Sequence, residues 1–427
     1  MIQIAIPKLT FRLHDNPLLN KTDCILVILE KERFPFLKEN LSKTDNIQWN
    51  YHQFNLLLQT LIGLPSFNVI VVPKNKLKSV LKILDEYNIV TDYTNDPAFS
   101  FFDSCLNECS NVKILSTFTL IDWRLEKHAL KKEYWNNAKS YTKLDPIKKH
   151  ILENISKPKN YPFKGKVTLD DIGLTKYKLD LKDLLKKVQK EMITLGLNVH
   201  VFKSGDANIL KFAKEKIKLI SSDSWYKPNT SVGLDYGYKL KDKDSNTSQL
   251  SPFLSIGALS VKTFWSLLGE SNTKMGSAKD QLLFRESFHC VSRMENFFND
   301  KNILINEKDV VWKNNSVLLK KWKTGNLDEK WHDLNESMIK LFKDGWIHHL
   351  RRHLVADSLT RGKLYLNWRE GEKWFRFTLL DHDAAVNRAN WMWLSAVAFS
   401  SKQKVYHYSP EDYVKRHSKS SQPILIK

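Results

Sequence analysis

Gly345-Trp-Ile-His-His-Leu-Arg-Arg-His353 and, further on, Leu380-Asp-His-Asp-Ala-Ala-Val-Asn-Arg-Ala-Asn-Trp-Met-Trp393 are the two stretches on which the reading of this chain turns. In the first, His349 and His353 stand four apart, so on a helix both rings leave the same face. Two imidazoles within reach of one ligand can divide the work, one neutral and one protonated near neutral pH. A pair of surface histidines, or half of a metal site, are the alternatives. A zinc site would need further ligands, and no HExxH or cysteine cluster supplies them, so no metal is expected. In the second stretch, Asp381, Asp383 and Asn387 are polar groups in a segment otherwise fit for burial. Buried carboxylates require a charged or hydrogen-bonding partner, and Arg352 is available to Asp381. Two aspartates opening an ordinary solvated helix would read the same way.

Working outward, the helical period of these stretches extends back to about Leu179, as in Leu181–Met192 and Ala207–Ile220, and forward to about residue 400. Upstream the pattern changes. Short apolar runs at Ile2–Ile6, Cys24–Leu29, Asn68–Val72 and Val112–Leu115 alternate with amphipathic stretches such as Tyr51–Leu61 and Leu77–Tyr87. Strands alternating with helices predict a doubly wound parallel sheet covered on both faces. No GxGxxG follows the first strand, so the nucleotide fingerprint is missing there. Between these regions, Lys131–Thr168 is rich in Lys, Asn, Pro and Tyr and reads as a long connection. The expected organisation is an α/β domain over 1–130, a linker over 131–200, and a larger all-α domain over 201–427.

Composition narrows the function classes. Hydrophobic residues make up 42% and charged residues 27%, the balance of a soluble globular chain, with no apolar run long enough to span a membrane and no signal peptide after Met1. Cys24, Cys105, Cys109 and Cys290 are too few for a disulfide framework and suit a reducing intracellular compartment, nucleus or cytoplasm. The net charge of +20 attracts polyanions through a sequence-independent, salt-sensitive term; a Lys-rich surface that only aids solubility is the plainer reading. Of the 13 tryptophans, eight fall between Trp312 and Trp393; any one of them is more simply core filler, but their spacing is notable.

Taken together, Trp346 to His353, Leu364-Tyr-Leu-Asn-Trp-Arg-Glu-Gly371 and Asp381 to Trp393 resemble the flavin domain of the photolyase/cryptochrome family. Thr247-Ser-Gln-Leu-Ser-Pro-Phe-Leu-Ser-Ile-Gly-Ala-Leu-Ser260 resembles its phosphate-cradling turn. Gln281-Leu-Leu-Phe-Arg-Glu286 is similar to the helix lining its cofactor and lesion pocket, and Arg12-Leu-His-Asp-Asn-Pro17 to its first strand-to-helix turn. The resemblance implies an FAD cofactor in the all-α domain. Thr247, Ser248, Gln249, Leu250 and Ser251 would hold its phosphates, with Arg285 adding charge. Asp381 would pair with Arg352 beside the flavin, Asp383 would bond the isoalloxazine or ribityl groups, and Asn387 would lie next to flavin N5. Tyr236 or Tyr238 matches the tyrosine before the phosphate turn. Trp391, Trp368 and Trp312 match the family's electron-hopping triad, and Tyr365 falls where some animal-type members carry a fourth tryptophan. The turn Pro7-Lys-Leu-Thr-Phe11 replaces the family's Trp-Phe-Arg and names no antenna chromophore.

His349 and His353 point to a branch. Two histidines here, with Gln281, resemble (6-4) photolyases and animal-type cryptochromes rather than enzymes acting on cyclobutane dimers. The implied function is light-driven repair of (6-4) pyrimidine photoproducts in ultraviolet-damaged DNA by a monomer. His349 would be the general acid, His353 would set its charge state, and Gln281, Phe284, His349 and His353 would meet a flipped lesion. A blue-light photoreceptor without repair activity carries the same histidine pair and is the alternative.

Overall fold

The computed structural model describes residues 2–35, 49–125, 128, 145–202, 204–221, 248–269, 273–293, 297–299, 307 and 310–398. Five strands, β1 (Gln3–Ile6), β2 (Cys24–Glu30), β3 (Phe67–Val72), β4 (Asn88–Asp92) and β5 (Val112–Leu115), form one parallel sheet in the order β3-β2-β1-β4-β5. Ile4 lies opposite Cys24 on one side and Ile89 on the other. The apolar runs of β1 and β2 are buried on both faces, which is why they read as continuous hydrophobic stretches rather than alternations. Helices α1 (Tyr51–Ile62), α2 (Leu77–Leu84) and α3 (Ser100–Leu106) connect them; Leu77, Val80, Leu81, Leu84 and Phe102 close a core over Ile4, Ile6, Leu26 and Ile70.

The remaining described helices are α4 (Asp145–Asn154), α5 (Leu181–Thr194), α6 (Asp206–Ser221), α7 (Ser251–Ser255), α8 (Val261–Leu267), α9 (Thr273–Val291), α10 (Ser316–Thr324), α11 (His332–Asp344), α12 (His349–Leu359), α13 (Trp368–Thr378) and α14 (Ala384–Leu394). The chain divides into two compact units that interleave along the sequence. The first is 1–123, 153–217 and 249–269; the second is 124–152, 218–248 and 270–427. Thus α5 packs on α1, where the Tyr51 hydroxyl donates to Glu191 at 2.6 Å.

Within the first unit, the Arg12–Pro17 stretch is structural. The buried Arg12 guanidinium donates to the carbonyls of His14, Asp15, Thr117 and Gly257. His14 meets Asp206 at 2.6 Å, and Asn16 caps the turn that starts at Pro17. Gly257 has φ +66, and a Cβ there would strike the Leu9 carbonyl, so only glycine serves. At the carboxyl ends of β1 and β4, where doubly wound sheets commonly take ligands, Asp92 accepts from the amides of Lys8 (2.5 Å) and Leu9 (2.7 Å) and from the Thr10 hydroxyl (2.9 Å).

The second unit centres on another core, in which Trp322, Trp368 and Trp391 are fully buried among Met338, Leu341, Val355, Leu359 and Phe375. Its helices carry legible ends. Asn315, Asn367 and Asp383 cap α10, α13 and α14 through their side chains, and α10 and α11 end on left-handed glycines, Gly325 and Gly345.

Candidate functional site

The head of α12 and the approach to α14 are tied together by backbone. After Gly345 ends α11, its carbonyl accepts from the amide of Leu380 at 2.7 Å. This brings Asp381 beside Arg352, and the guanidinium donates to the carboxylate at 2.9 Å while its Nε donates to the Ile347 carbonyl at 2.9 Å. The partnership expected from sequence is thus formed, and Asp381 is almost wholly buried in it.

Two residues on, Asp383 does two jobs. One oxygen accepts from the Val386 amide at 3.2 Å and caps α14; the other accepts from His289 Nε2 at 2.9 Å and lies 3.5 Å from Arg285. Burial opposes its ionisation, but His289, Arg285 and the Val386 amide outweigh it and hold the carboxyl well below the usual carboxylate range. His289 is a member of this cluster that the sequence reading missed. Its signal was available, since it stands four residues after Arg285 and therefore shares its helix face. Asn387, on the first turns of α14, donates its side-chain amide to the Glu372 carbonyl at 3.0 Å. Arg352 with Asp381, and Arg285 and His289 with Asp383, are thus two polar groups anchored two residues apart on the approach to α14, while the Asn387 side chain ties α14 to α13.

At the head of α12, the rings of His349 and His353 are edge to face with centroids 6.0 Å apart, and His348 lies 4.7 Å from His349. His353 in turn meets Trp393 edge-on at 6.2 Å. Burial, with His348, His353 and Arg352 close by, pushes His349 well below its ordinary pKa, so the imidazole is neutral at pH 7. On α9, Gln281 is exposed, and Phe284 is half-buried with the Lys148 ammonium 5.3 Å from its ring centre. Lys148 also pairs with Asp280 at 3.0 Å.

Trp391 and Trp368 are buried in the same core, and Trp312 is partly buried against it. Trp391 packs on α13 at Gly371, where any Cβ would collide with its six-membered ring. The segment bearing Trp312 is pinned to the entry of α13 by the Lys313 amide, which donates to the Tyr365 carbonyl at 2.7 Å. Glu307 joins the two: one oxygen accepts from Trp312 Nε1 at 2.9 Å and from Trp368 Nε1 at 3.1 Å. Glu307 was not singled out in the sequence, because it precedes Trp312 in a stretch with no period to read.

The proposed phosphate turn falls differently. Tyr236 and Thr247 lie outside the described residues, and Ser248 belongs to the second unit. Gln249, Leu250 and Ser251 belong to the first; Gln249 adopts φ +53 and accepts from Lys216 at 3.1 Å, Leu250 is buried, and Ser251 opens α7. The described residues of the second unit fit a flavin nucleotide by the chemistry of their donor set. Two guanidinium groups, one of them 3.3 and 3.5 Å from its carboxylates, stand with an amide and the carboxylates of Asp381 and Asp383 in the unit that holds the aromatic core.

Comparisons agree. Residues 278–424 match the family described as the FAD binding domain of DNA photolyase. The chain is 38% identical over 181 residues to a (6-4)DNA photolyase of Oryza sativa subsp. japonica, covering 40% of this chain and 32% of that one. It is 33% identical over 224 residues to the (6-4)DNA photolyase of Arabidopsis thaliana, covering 51% and 38%. It is also 37% identical over 175 residues to Cryptochrome-1 of Gallus gallus, covering 39% and 28%. The matched segments thus span about a third of these relatives' lengths. Among solved structures, a photolyase from the archaeon Sulfolobus tokodaii superposes with a TM-score of 0.69 at 18% identity, over 100% of this chain and 92% of that one. A Synechocystis cryptochrome superposes at 0.69 and 16%, over 97% and 86%. These likenesses establish the fold: a parallel five-stranded α/β domain followed by a helical FAD-binding domain.

Proposed function

We propose, from the premise that this chain belongs to the photolyase/cryptochrome family, that it repairs (6-4) pyrimidine photoproducts in DNA by light-driven electron transfer. The imidazole pair of His349 and His353, one turn apart on the helix that also supplies Arg352 to Asp381, supports the (6-4) chemistry, and the net charge of +20 favours a DNA substrate over a receptor role.

Bound FAD supplies a photoexcitable electron donor. Arg285, Arg352, Asp381, Asp383 and Asn387 would hold it, with Gln281 and Ser248, and with Thr247 and Tyr236 from outside the described residues. The ionised Asp383, fixed by His289 and Arg285, keeps a permanent negative charge in that cluster and orients the head of α14. The tryptophan core excludes water from one side, which strengthens each electrostatic contact made there.

His349 handles the proton. Burial, with His348, His353 and Arg352 close by, keeps it neutral in the free protein. The phosphates of bound DNA bring negative potential to the same place, favour the imidazolium, and so arm His349 as general acid to a lesion held by Gln281 and Phe284. His353, edge-on to His349 and braced by Trp393, sets the orientation of the ring. Trp391, Trp368 and Trp312 would carry electrons inward to keep the cofactor reduced, and the excess of basic residues would hold the DNA backbone.

The test is blue light on purified protein with fully reduced flavin and an oligonucleotide carrying one (6-4) photoproduct. Restored pyrimidines are expected, and no turnover under those conditions excludes repair. A second reading, a flavin photoreceptor, is favoured by the 37% identity to a cryptochrome. It predicts photoreduction without repair that survives His349→Ala.

A further inference from the structure

Trp312 and Trp368 share one acceptor. Glu307 receives both indole N–H groups on the same oxygen, and its position is set by Arg369, whose Nη1 and Nη2 reach the two oxygens at 2.6 and 2.8 Å. Such a two-pronged clamp fixes a carboxylate in place and in charge. Burial opposes the charge, but Arg369 and the two indoles outweigh it, so Glu307 lies below the usual range and is ionised at neutral pH.

The two indoles differ in what lies over their rings. Trp368 has the Arg369 guanidinium 4.5 Å from its ring centre and that of Arg388 at 5.1 Å. Two cations on the face of an aromatic ring stabilise the neutral π-system and disfavour a positive charge in it. No cation lies over the ring of Trp312 among the described residues, and this indole is the more exposed of the two. The shared carboxylate, itself paired with Arg369, therefore faces two guanidinium groups over the ring at Trp368 and, among the described residues, none over the ring at Trp312.

We infer that Glu307 is a positioning residue for electron relay, a fixed negative charge that makes Trp312 the resting place of an electron hole and Trp368 a transit point. The assignment deepens the relay proposed above and rests on it. In the step concerned, Trp312 gives one electron to oxidised Trp368, which returns to the neutral indole. Trp312 becomes an indole radical cation that keeps its N–H proton, hydrogen-bonded to the ionised Glu307. The first oxidant is the photoexcited oxidised flavin, and a small soluble reductant such as a thiol later refills Trp312.

Glu307→Gln tests this, because the amide keeps an acceptor oxygen and removes the charge. Transient absorption after a blue flash on the FAD-loaded protein is expected to show the tryptophan radical cation decaying about tenfold faster than in wild type, the change expected when a charge-assisted hydrogen bond becomes a neutral one. Flavin content and its visible spectrum should stay unchanged. Trp312→Phe should abolish the long-lived radical, and adding Glu307→Gln to it should change nothing further. A wild-type signal that Glu307→Gln leaves unaltered, or a long-lived radical that survives Trp312→Phe, overturns the assignment alone. A wild-type protein that holds FAD yet yields no indole radical overturns the relay and the assignment with it.

Discussion

His382, between Asp381 and Asp383, makes the second unit acid-sensitive in a calculable way. The ring is buried, and burial, with Arg376 adding to it and Asp383 opposing, lowers its pKa from 6.5 to about 3. A histidine held neutral in the fold is protonated first in the unfolded chain. Stability is therefore lost as the pH falls below about 6.5 and the loss levels off only near the folded value. At pH 5, one and a half units below the unfolded pKa and at about 1.4 kcal/mol per unit, the loss from this one residue is about 2 kcal/mol. His382→Leu keeps the volume and removes the titration. Urea unfolding of the flavin-free protein at pH 7.5 and pH 5 would measure it, and stripping the cofactor removes the linkage that ligand binding adds. The stability difference between variant and wild type should shift by about 2 kcal/mol in favour of the variant on moving to pH 5. A difference that is the same at both pH values, within about 0.5 kcal/mol, refutes the reasoning, because a ring open to solvent would show no such shift.

The other predictions concern packing, proton transfer and DNA. Gly371→Ala drives a methyl into Trp391 and should destabilise the second unit by about 1–3 kcal/mol, read as a lower urea midpoint. Repair should fall about 10²–10⁴-fold in His349→Ala under saturating light. In the wild type, because the neutral ring must gain a proton, the rate should rise as the pH drops from 8 to 6; a flat profile argues against the proton donor. Affinity for ultraviolet-damaged duplex should drop about a hundredfold between about 50 and about 200 mM salt, the loss that about four released counterions give. Fluorescence anisotropy at several salt concentrations measures the slope.

Much of this molecule is local and could be read in order along the chain. The apolar runs of β1, β2, β3 and β5 state their structure through period, and Asp383 marks a helix start through end chemistry, both of which depend on neighbours a few residues away, whereas the short β4, Asn88–Asp92, gave no run to read. The spacing of His349 and His353 followed from the same short-range logic, whereas the pairing of Arg352 with Asp381, 29 residues away, was implied by the resemblance. Tertiary structure alone decided the rest. It placed His289 on Asp383 across 94 residues and set Glu307 between two indoles, one of them 61 residues away. It also returned residues 153–217 and 249–269 to the unit built on the sheet. These contacts leave no period in the sequence, because a single long-range hydrogen bond or ion pair constrains only two positions. Ring environment belongs here too: Trp312 and Trp368 are the same residue in the sequence, and only packing puts guanidinium groups over one of them.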